Sequence, residues 1–304
     1  GRFVGLQTLE VSGAPHDCLE LHYAAETKLF LPVENIELLS RYGSDSANVE
    51  LDRLGGGGWQ ARKAKLKNRI REIAGELIKI AAERQLHEAP KFPLQPHVYD
   101  EFCARFPYDE TEDQLGAINS TLKDLEIGRP MDRLICGDVG FGKTEVAVRA
   151  AFKAIQDGKQ VAVLVPTTLL AQQHFSTFNQ RMDGFGVTVR ELSRFTTAAD
   201  SKKIISGLAD GSVDIVIGTH RILSQNVQFK DVGLVIIDEE HRFGVRQKEQ
   251  LKALRSEVDI LTLTATPIPR TLNMSIAGMR DLSIIATPPA RRLSVRTFVM
   301  EANN

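Results

Sequence analysis

The sequence predicts an α/β protein in which a mostly parallel sheet carries helices on both faces, preceded by a small β-rich domain and a long connecting helix. Three observations support this class. Short apolar runs alternate with helical patterns from about residue 106 onward, as in βα repetition. A strand, a glycine-rich loop and a helical segment follow one another at residues 134–155. Apolar and polar residues alternate near the start of the chain, as in half-buried strands.

The first 54 residues are predicted to form the small β-rich domain. Alternation with a period of two occurs at residues 4–8, 19–23 and 29–33, and a Ser-Gly-Ala-Pro turn separates the first two stretches. The alternation stops near residues 41–43. A domain of this size has little core and the sequence begins abruptly, so we expect it to be truncated at its N-terminus.

Residues 55–96 are predicted to form a linker and a long basic helix. After four glycines, apolar residues recur at spacings of three and four, at Leu66, Ile70, Ile73, Leu77 and Ile80. A helix over residues 59–86 would be roughly 42 Å long. Its excess of Lys and Arg over Glu allows either a solvated face on a connector, which we prefer, or a direct DNA contact. Prolines at positions 90, 93 and 96 end the segment.

Composition excludes several classes of protein. The 42% hydrophobic and 25% charged residues are typical of a globular domain. The 38 basic and 39 acidic residues give a net charge of -1, so any nucleic-acid contact must be local. The three cysteines show no metal-ligand spacing with histidine. Without a signal peptide or an apolar run near the roughly 20 residues that span a bilayer, we expect a cytoplasmic protein.

The most specific motif is a glycine-rich loop that matches the pattern GxxxxGK[ST] and lies between a predicted strand and a helical segment. Backbone N–H groups in such a loop, together with the helix N-terminus, bind phosphates. We predict that Lys143 bridges the β- and γ-phosphates of ATP and that the Thr144 hydroxyl binds Mg²⁺. The predicted nucleotide-binding residues of this loop are Gly137, Asp138, Val139, Gly140, Phe141, Gly142, Lys143 and Thr144.

A second motif, Asp-Glu-Glu-His, follows the apolar run 234–237. Because Mg²⁺ prefers oxygen ligands, we predict that Asp238 holds the metal through water and that Glu239 orients or deprotonates the attacking water. ATP and Mg²⁺ are therefore the predicted cofactors. The predicted catalytic residues are Lys143, Thr144, Asp238 and Glu239.

Three further segments, at residues 166–173, 218–220 and 264–267, follow predicted strands and should reach the same edge of the sheet. Their hydroxyl groups and exposed N–H groups suit nucleic-acid phosphates. Each segment taken alone is more typical of an ordinary helix cap. The predicted nucleic-acid or coupling residues are Thr167, Thr168, Gln172, Gly218, Thr219, His220, His241, Thr264 and Thr266.

Residues 106–296 resemble the first, RecA-like motor domain of superfamily 2 DNA translocases. Phe106 and Gln114 resemble the adenine-reading element of that superfamily, although a helix capped by Thr111 explains the same residues. The stretches DEEHRFGV and TATPIPRTL are similar to the branch that contains RecG and the bacterial transcription-repair coupling factors. DEAD-box RNA helicases carry a different tetrad and a Ser-Ala-Thr element.

The N-terminal stretch resembles the Tudor/CarD-like polymerase-interaction domain of the coupling factors, and the basic helix resembles their relay segment. RecG instead carries an oligonucleotide-binding wedge there. The resemblance implies a motor that moves on double-stranded DNA, binds the β subunit of stalled RNA polymerase and recruits nucleotide-excision repair proteins through other parts of a longer protein. It places Leu9 at the polymerase interface, with a position in the domain core as the alternative.

The resemblance also implies domain limits: a first motor domain over residues 97–290 and, at 291–304, an exit segment toward a second motor domain. No second ATP-binding domain, TRG-type motif or arginine finger follows Thr266, so we expect weak or no ATP hydrolysis by this chain. Two alternatives stay open. One is a RecG-like fork-remodelling helicase, and the other is a polymerase-binding adaptor with an inactive half motor.

Overall fold

The structure, a computed structural model of the 304-residue chain, forms two compact units, Gly1–Glu76 and Leu77–Asn304. The division between the units falls within the long helix, whereas the sequence suggested boundaries near residues 54 and 96. Among the described residues, no helix is long and apolar enough to cross a membrane. The described residues are 1–11, 13–39, 51, 53–54, 57–93, 96–244, 247, 250–251, 258–266 and 280–290.

The first unit contains an antiparallel sheet of three strands in the order β1-β2-β3. The strands are β1 (Arg2–Val11), β2 (Ala14–His22) and β3 (Lys28–Pro32), followed by a 3-10 helix at Val33–Leu38. The alternating pattern therefore predicted all three strands. Buried Cys18, Leu19 and Leu21 on the middle strand supply the core, and β1 and β3 form the two edges of the sheet. The predicted end of the alternating pattern, near residues 41–43, lies outside the described residues.

Helix α1 (Gly57–Leu86) contains 30 residues, which corresponds to a length of about 45 Å. It begins two residues before the predicted start. Its basic residues Lys63, Lys65 and Lys67 are exposed, and Leu66, one of the residues on which the helical prediction rested, is 60% exposed. A second helix, α2 (Pro96–Ala104), buries Tyr99 and Phe102.

The second unit is built on a sheet of seven strands, each parallel to its neighbours, in the order β10-β4-β9-β8-β5-β7-β6. This arrangement confirms the predicted fold class. The central strands are buried on both faces, which explains why they read as continuous apolar runs. The strands are β4 (Asp132–Gly137), β5 (Gln160–Leu164), β6 (Val189–Leu192), β7 (Ile215–Gly218), β8 (Val232–Asp238), β9 (Asp259–Thr264) and β10 (Asp281–Ile285).

Helices cover both faces of this sheet. One core cluster packs residues of α3 (Glu112–Asp124), α4 (Lys143–Gln156) and α5 (Thr168–Met182) against one face. The other cluster packs α6 (Ala198–Asp210) against the opposite face. Threonine side chains cap α3, α5 and α6 by accepting a hydrogen bond from a backbone N–H. Three of the helices in these two clusters therefore begin after a residue type that favours a helix start.

Buried charges lie at the amino-terminal ends of β4 and β9. The Asp132 carboxylate accepts a hydrogen bond from Arg280 Nε at 2.7 Å and lies 3.6 Å from an Arg84 guanidinium nitrogen. The Met131 N–H donates to Asp259 Oδ1 at 2.5 Å, and burial raises the pKa of that carboxyl to about 7. These pairs connect α1, β4, β9 and the residue before β10, at the opposite end of the strands from the glycine-rich loop.

Candidate functional site

The glycine-rich loop turns directly from the last residue of β4 into the first residue of α4. Gly142 has φ 78°, and a Cβ on it would lie 2.4 Å from Gln114 Nε2. A larger residue would therefore be both strained and too close to its neighbour. The loop thus places the N-terminus of a 14-residue helix at the carboxyl edge of the sheet, where its partial positive charge favours phosphate.

The Lys143 ammonium lies inside this loop. Its Nζ donates to the Gly137 carbonyl at 2.6 Å and to the Asp138 carbonyl at 2.9 Å. Burial lowers the pKa of the ammonium, while the charges of Asp238 and Glu239 oppose this shift. The structure therefore brings the predicted phosphate-binding lysine, which begins the helix after β4, close to both predicted acids at the end of β8, although β9 separates these two strands.

Glu239 has a left-handed backbone, with φ 52° and ψ 49°. Only a few per cent of residues other than glycine adopt positive φ, and such strained residues cluster at functional sites. The Glu239 carboxylate accepts the Ala265 N–H at 3.1 Å, and the Glu239 N–H donates to the Leu263 carbonyl at 3.0 Å. The acid predicted to handle the attacking water is thus bound to the Thr-Ala-Thr segment that follows β9.

Gln114 is buried and makes three hydrogen bonds. The backbone N–H of Gln114 donates to the Thr111 hydroxyl, and the side-chain oxygen of Gln114 accepts the backbone N–H of Thr111. These two bonds form a capping box. Its side-chain amide also donates to the Phe141 carbonyl at 2.9 Å. The helix-start interpretation is therefore observed, and the same side chain supports the loop. An adenine-reading role for Gln114 stays a prediction.

Phe106 is half-buried and packs near two arginines. The guanidinium carbon of Arg149 lies 5.6 Å from the ring centroid and that of Arg181 lies 5.5 Å from it. Exposed Tyr108 contacts the same ring edge to face at 5.5 Å. This aromatic group lies beside α4, which begins at the loop, and a role of Phe106 in stacking on adenine also stays a prediction.

The segment after β10 contacts the same helix start. The Ala286 and Thr287 N–H groups donate to Asp113 Oδ2 at 3.0 and 2.8 Å. Hydrogen bonds from Thr287 and from Ala286 hold the pKa of the Asp113 carboxyl below its ordinary value. One short stretch, from Thr111 to Gln114, therefore touches both the phosphate-binding loop and the segment that follows the last strand.

The residues predicted to contact nucleic acid lie at or after the C-terminal ends of β5, β7, β8 and β9. Their side chains differ in exposure. Those of Thr167, Gln172, His220 and Thr266 are exposed, and Thr168 is half-buried. The backbone position of His241 lies in a 3-10 helix at Glu240–Arg242, but its side chain is outside the described residues.

Three of the predicted nucleic-acid residues are buried. Thr219 is 5% exposed, and Thr264, at 9%, accepts the Thr266 N–H with its hydroxyl. Gly218 is a packing requirement, because a Cβ there would lie 2.1 Å from the Leu192 carbonyl oxygen. A nucleic-acid role for these buried positions would therefore act through the backbone or through neighbouring residues.

The sequence did not identify His174 on α5 as part of this site. His174 is buried, and its Nε2 lies 2.8 Å from Asp238 Oδ2. The available signal was a histidine within a buried stripe that is otherwise apolar, at spacings of three and four along the helix.

The donor set fits ATP with Mg²⁺. Asp238 offers a carboxylate and Thr144 a hydroxyl, the oxygen ligands that Mg²⁺ prefers, and Lys143 offers a cation at the helix N-terminus. With the nucleotide bound, the metal would neutralise charge on the phosphates while these side chains hold and orient it.

Leu9 lies on edge strand β1 opposite His16 and is half-buried. Its neighbours on β1 include Phe3, Val4 and Leu6, which are 57%, 52% and 69% exposed. The strand therefore presents apolar side chains to solvent and has a backbone edge without a strand partner in the three-stranded sheet. Both features are typical of a surface that binds another protein.

Comparison with known proteins identifies two family models along the chain. The model described as DEAD/DEAH box helicase matches residues 111–275, and the model described as CarD-like/TRCF RID domain matches residues 1–43. The first covers the phosphate-binding loop and both acids. The second covers the three-stranded sheet.

Relatives match the chain over nearly its whole length. It is 53% identical to the transcription-repair-coupling factor of Bacillus subtilis (strain 168) and 54% identical to that of Escherichia coli (strain K12), over 100% and 99% of the chain. It spans 26% of each of these relatives. A solved structure of RecG bound to a three-way DNA junction is 32% identical with a TM-score of 0.63, covering 87% of this chain and 36% of that one.

Proposed function

The chain belongs to the DEAD/DEAH box helicase family, and we propose that it is the nucleotide-binding part of an ATP-driven translocase on double-stranded DNA. We further propose that its small β domain binds RNA polymerase, through the β subunit, as part of a transcription-repair coupling factor. In that role the motor would act on stalled polymerase, and the longer protein would recruit nucleotide-excision repair.

One observation supports the motor proposal most directly. The charges of Asp238 and Glu239 act on the Lys143 ammonium, although Lys143 begins the helix after β4, the acids stand at the end of β8, and β9 separates the two strands. A cation at a helix N-terminus beside carboxylates suited to Mg²⁺ is the arrangement that binds a nucleotide triphosphate and its metal. In this proposal Glu239, whose carboxylate accepts the Ala265 N–H at 3.1 Å, orients the attacking water.

Nucleotide binding tests the motor proposal. Because the chain spans only about a quarter of its relatives, binding of a fluorescent ATP analogue with Mg²⁺ is a better measurement than hydrolysis. Lys143→Ala should weaken binding by at least about tenfold, since it removes a charge-assisted contact to phosphate. Lys159→Ala is the control, because Lys159 pairs with exposed Asp231 at the start of β5. Equal affinity of the Lys143→Ala variant and the parent would show the assignment to be wrong.

Retention on the isolated β subunit of RNA polymerase tests the partner proposal. Leu9→Arg places a charge at the half-buried position of edge strand β1 that this proposal assigns to the interface, and it should abolish retention. Glu10→Arg, on the opposite face of the same strand, controls for a general effect of charge. Retention of a folded Leu9→Arg variant at the parental level would remove Leu9 from the interface, and no retention of the parent would remove the partner.

A RecG-like fork remodeller is the second candidate, because the RecG structure matches most of the chain. It predicts tighter binding to forked than to linear DNA and no effect of polymerase. The coupling-factor proposal instead predicts similar affinity for forked and linear duplexes and retention by polymerase. Binding of both DNA types, measured with and without polymerase, separates the two.

A further inference from the structure

Helix α5 carries a polar side chain on its buried face. That face consists of Ala171, His174, Phe178 and Met182, and His174 is only 6% exposed. An imidazole in such a stripe removes two polar atoms from water, which is unfavourable unless they find partners. Packing alone therefore does not explain why a histidine occupies this buried position.

The imidazole makes a single hydrogen bond among the described residues. Its Nε2 lies 2.8 Å from Asp238 Oδ2, and the two side chains are 7% and 13% exposed. Because an ionised carboxylate only accepts hydrogen bonds, Nε2 must carry the proton and donate it. The Nδ1 atom is buried without a partner in the part of the chain that the structure describes. The bond to Asp238 is thus the one polar interaction observed for this side chain.

The rest of α5 holds His174 in place. Near its C-terminal end, Arg181 donates to the buried Glu145 carboxylate of α4 at 2.8 Å, and Arg181 also stacks on Phe102 at 4.3 Å. Helix α4 in turn begins at the phosphate-binding loop. The imidazole is therefore carried by a helix fixed to the helix that positions the loop.

We propose that His174 is a positioning residue for the Mg²⁺ site. Its Nε2–H fixes one oxygen of the Asp238 carboxylate and so leaves the other oxygen to the metal or to a metal-bound water. This inference rests on the proposed function, in which Asp238 holds Mg²⁺. Groups that orient a metal ligand commonly change metal affinity or activity by about 10- to 100-fold when they are removed.

The proposal predicts an effect on the metal-dependent part of nucleotide binding alone. A fluorescent ATP analogue is titrated into the full chain, once with excess Mg²⁺ and once with EDTA. In the His174→Leu variant, which has an apolar side chain of similar size, the gain in affinity from Mg²⁺ should fall about 10- to 100-fold. Affinity in EDTA should stay at the parental value, because the loop and Lys143 are unchanged.

Conservative variants separate orientation from packing. His174→Gln keeps an amide donor at about the reach of Nε2 and should restore most of the Mg²⁺-dependent gain, whereas the shorter His174→Asn should not. His97→Leu is the matched control, since His97 is exposed on α2, and it should behave like the parent. If the Leu variant does not fold, the comparison of the Gln and Asn variants gives the same test.

The outcomes are distinguishable from failure of the proposed function. A parent that binds no nucleotide, with or without Mg²⁺, would contradict that function, whereas a parent whose affinity rises with Mg²⁺ makes the His174 test decisive. The positioning role is overturned if His174→Leu keeps the full gain from Mg²⁺. It is equally overturned if the Gln and Asn variants lose that gain to the same extent, because packing alone would then explain the result.

Discussion

Replacement of Asp259 by asparagine should change how the stability of the motor domain depends on pH. Asp259 begins β9 and is 2% exposed. Its Oδ1 accepts the Met131 N–H, while its Oδ2 has no hydrogen-bond partner among the described residues. Burial, assisted by the charge of nearby Asp124, raises the pKa of the carboxyl from 3.8 to about 7.

The sign and size of the effect follow from this shift. The unfolded chain ionises Asp259 at lower pH than the folded protein does, so stability falls as pH rises from 3.8 through 7 and then changes little. At 1.36 kcal/mol per pKa unit, the whole loss is about 4 kcal/mol. About 3 kcal/mol of it falls between pH 5 and pH 8. The asparagine variant should lack this component.

The measurement is urea-induced unfolding of the parent and of Asp259→Asn at pH 5 and pH 8. An unpaired amide in the variant costs about 1–3 kcal/mol at both pH values, so it cancels in the pH difference. Asp281→Asn, an exposed residue at the start of β10, should keep the pH dependence of the parent. Equal pH dependence of the parent and Asp259→Asn would refute the reasoning, since ionisation of the buried carboxyl would then cost nothing.

Three further substitutions have defined outcomes. Asp132→Asn removes the buried carboxylate that pairs with Arg84 and Arg280 and should lower the free energy of unfolding by about 3 kcal/mol, measured in urea. Asp231→Asn, at an exposed pair, should lower it by less than about 1 kcal/mol. Gly142→Ala should weaken nucleotide binding by at least about tenfold in the fluorescence titration, because its Cβ displaces a neighbouring amide. Gly158→Ala, with φ 73° but open space around it, should change stability only. Asp113→Asn should unfold at a lower temperature than the parent near pH 5, because hydrogen bonds that only the ionised carboxylate accepts fully lower the pKa of Asp113 in the folded protein. The difference should vanish as the pH falls below 3.8 and through the lower pKa of the folded state, since the carboxyl is then protonated.

The sequence predicted the sheet well because parallel strands buried on both faces are continuous apolar runs. It missed β10, the edge strand, in which only Ile285 is fully buried and the pattern is mixed. The loop was equally predictable, since its glycines, lysine and threonine are contiguous and their local geometry is fixed by the residue types.

Other parts of the site could not be read from the sequence. His174 and Asp238 are 64 residues apart, and Asp132 and Arg280 are 148 apart. The first pair depends on how a helix packs against the sheet, and the second depends on which strands are neighbours. No local sequence pattern encodes either. For Gln114 the local pattern left two interpretations open, a helix start and an adenine-reading element. The structure shows that its side chain both caps the helix and contacts the phosphate-binding loop.

The strand order has a consequence for how the protein is made. Strand β9 lies between β4, which carries the phosphate-binding loop, and β8, which carries the acids. During synthesis β4 leaves the ribosome roughly 130 residues before β9, a delay of about 10 s at usual elongation rates. Until then the loop and the acids belong to separate parts of an incomplete sheet. The nucleotide site is therefore assembled late, and both edges of β4 lack their strand partners until β9 and β10 have been synthesised.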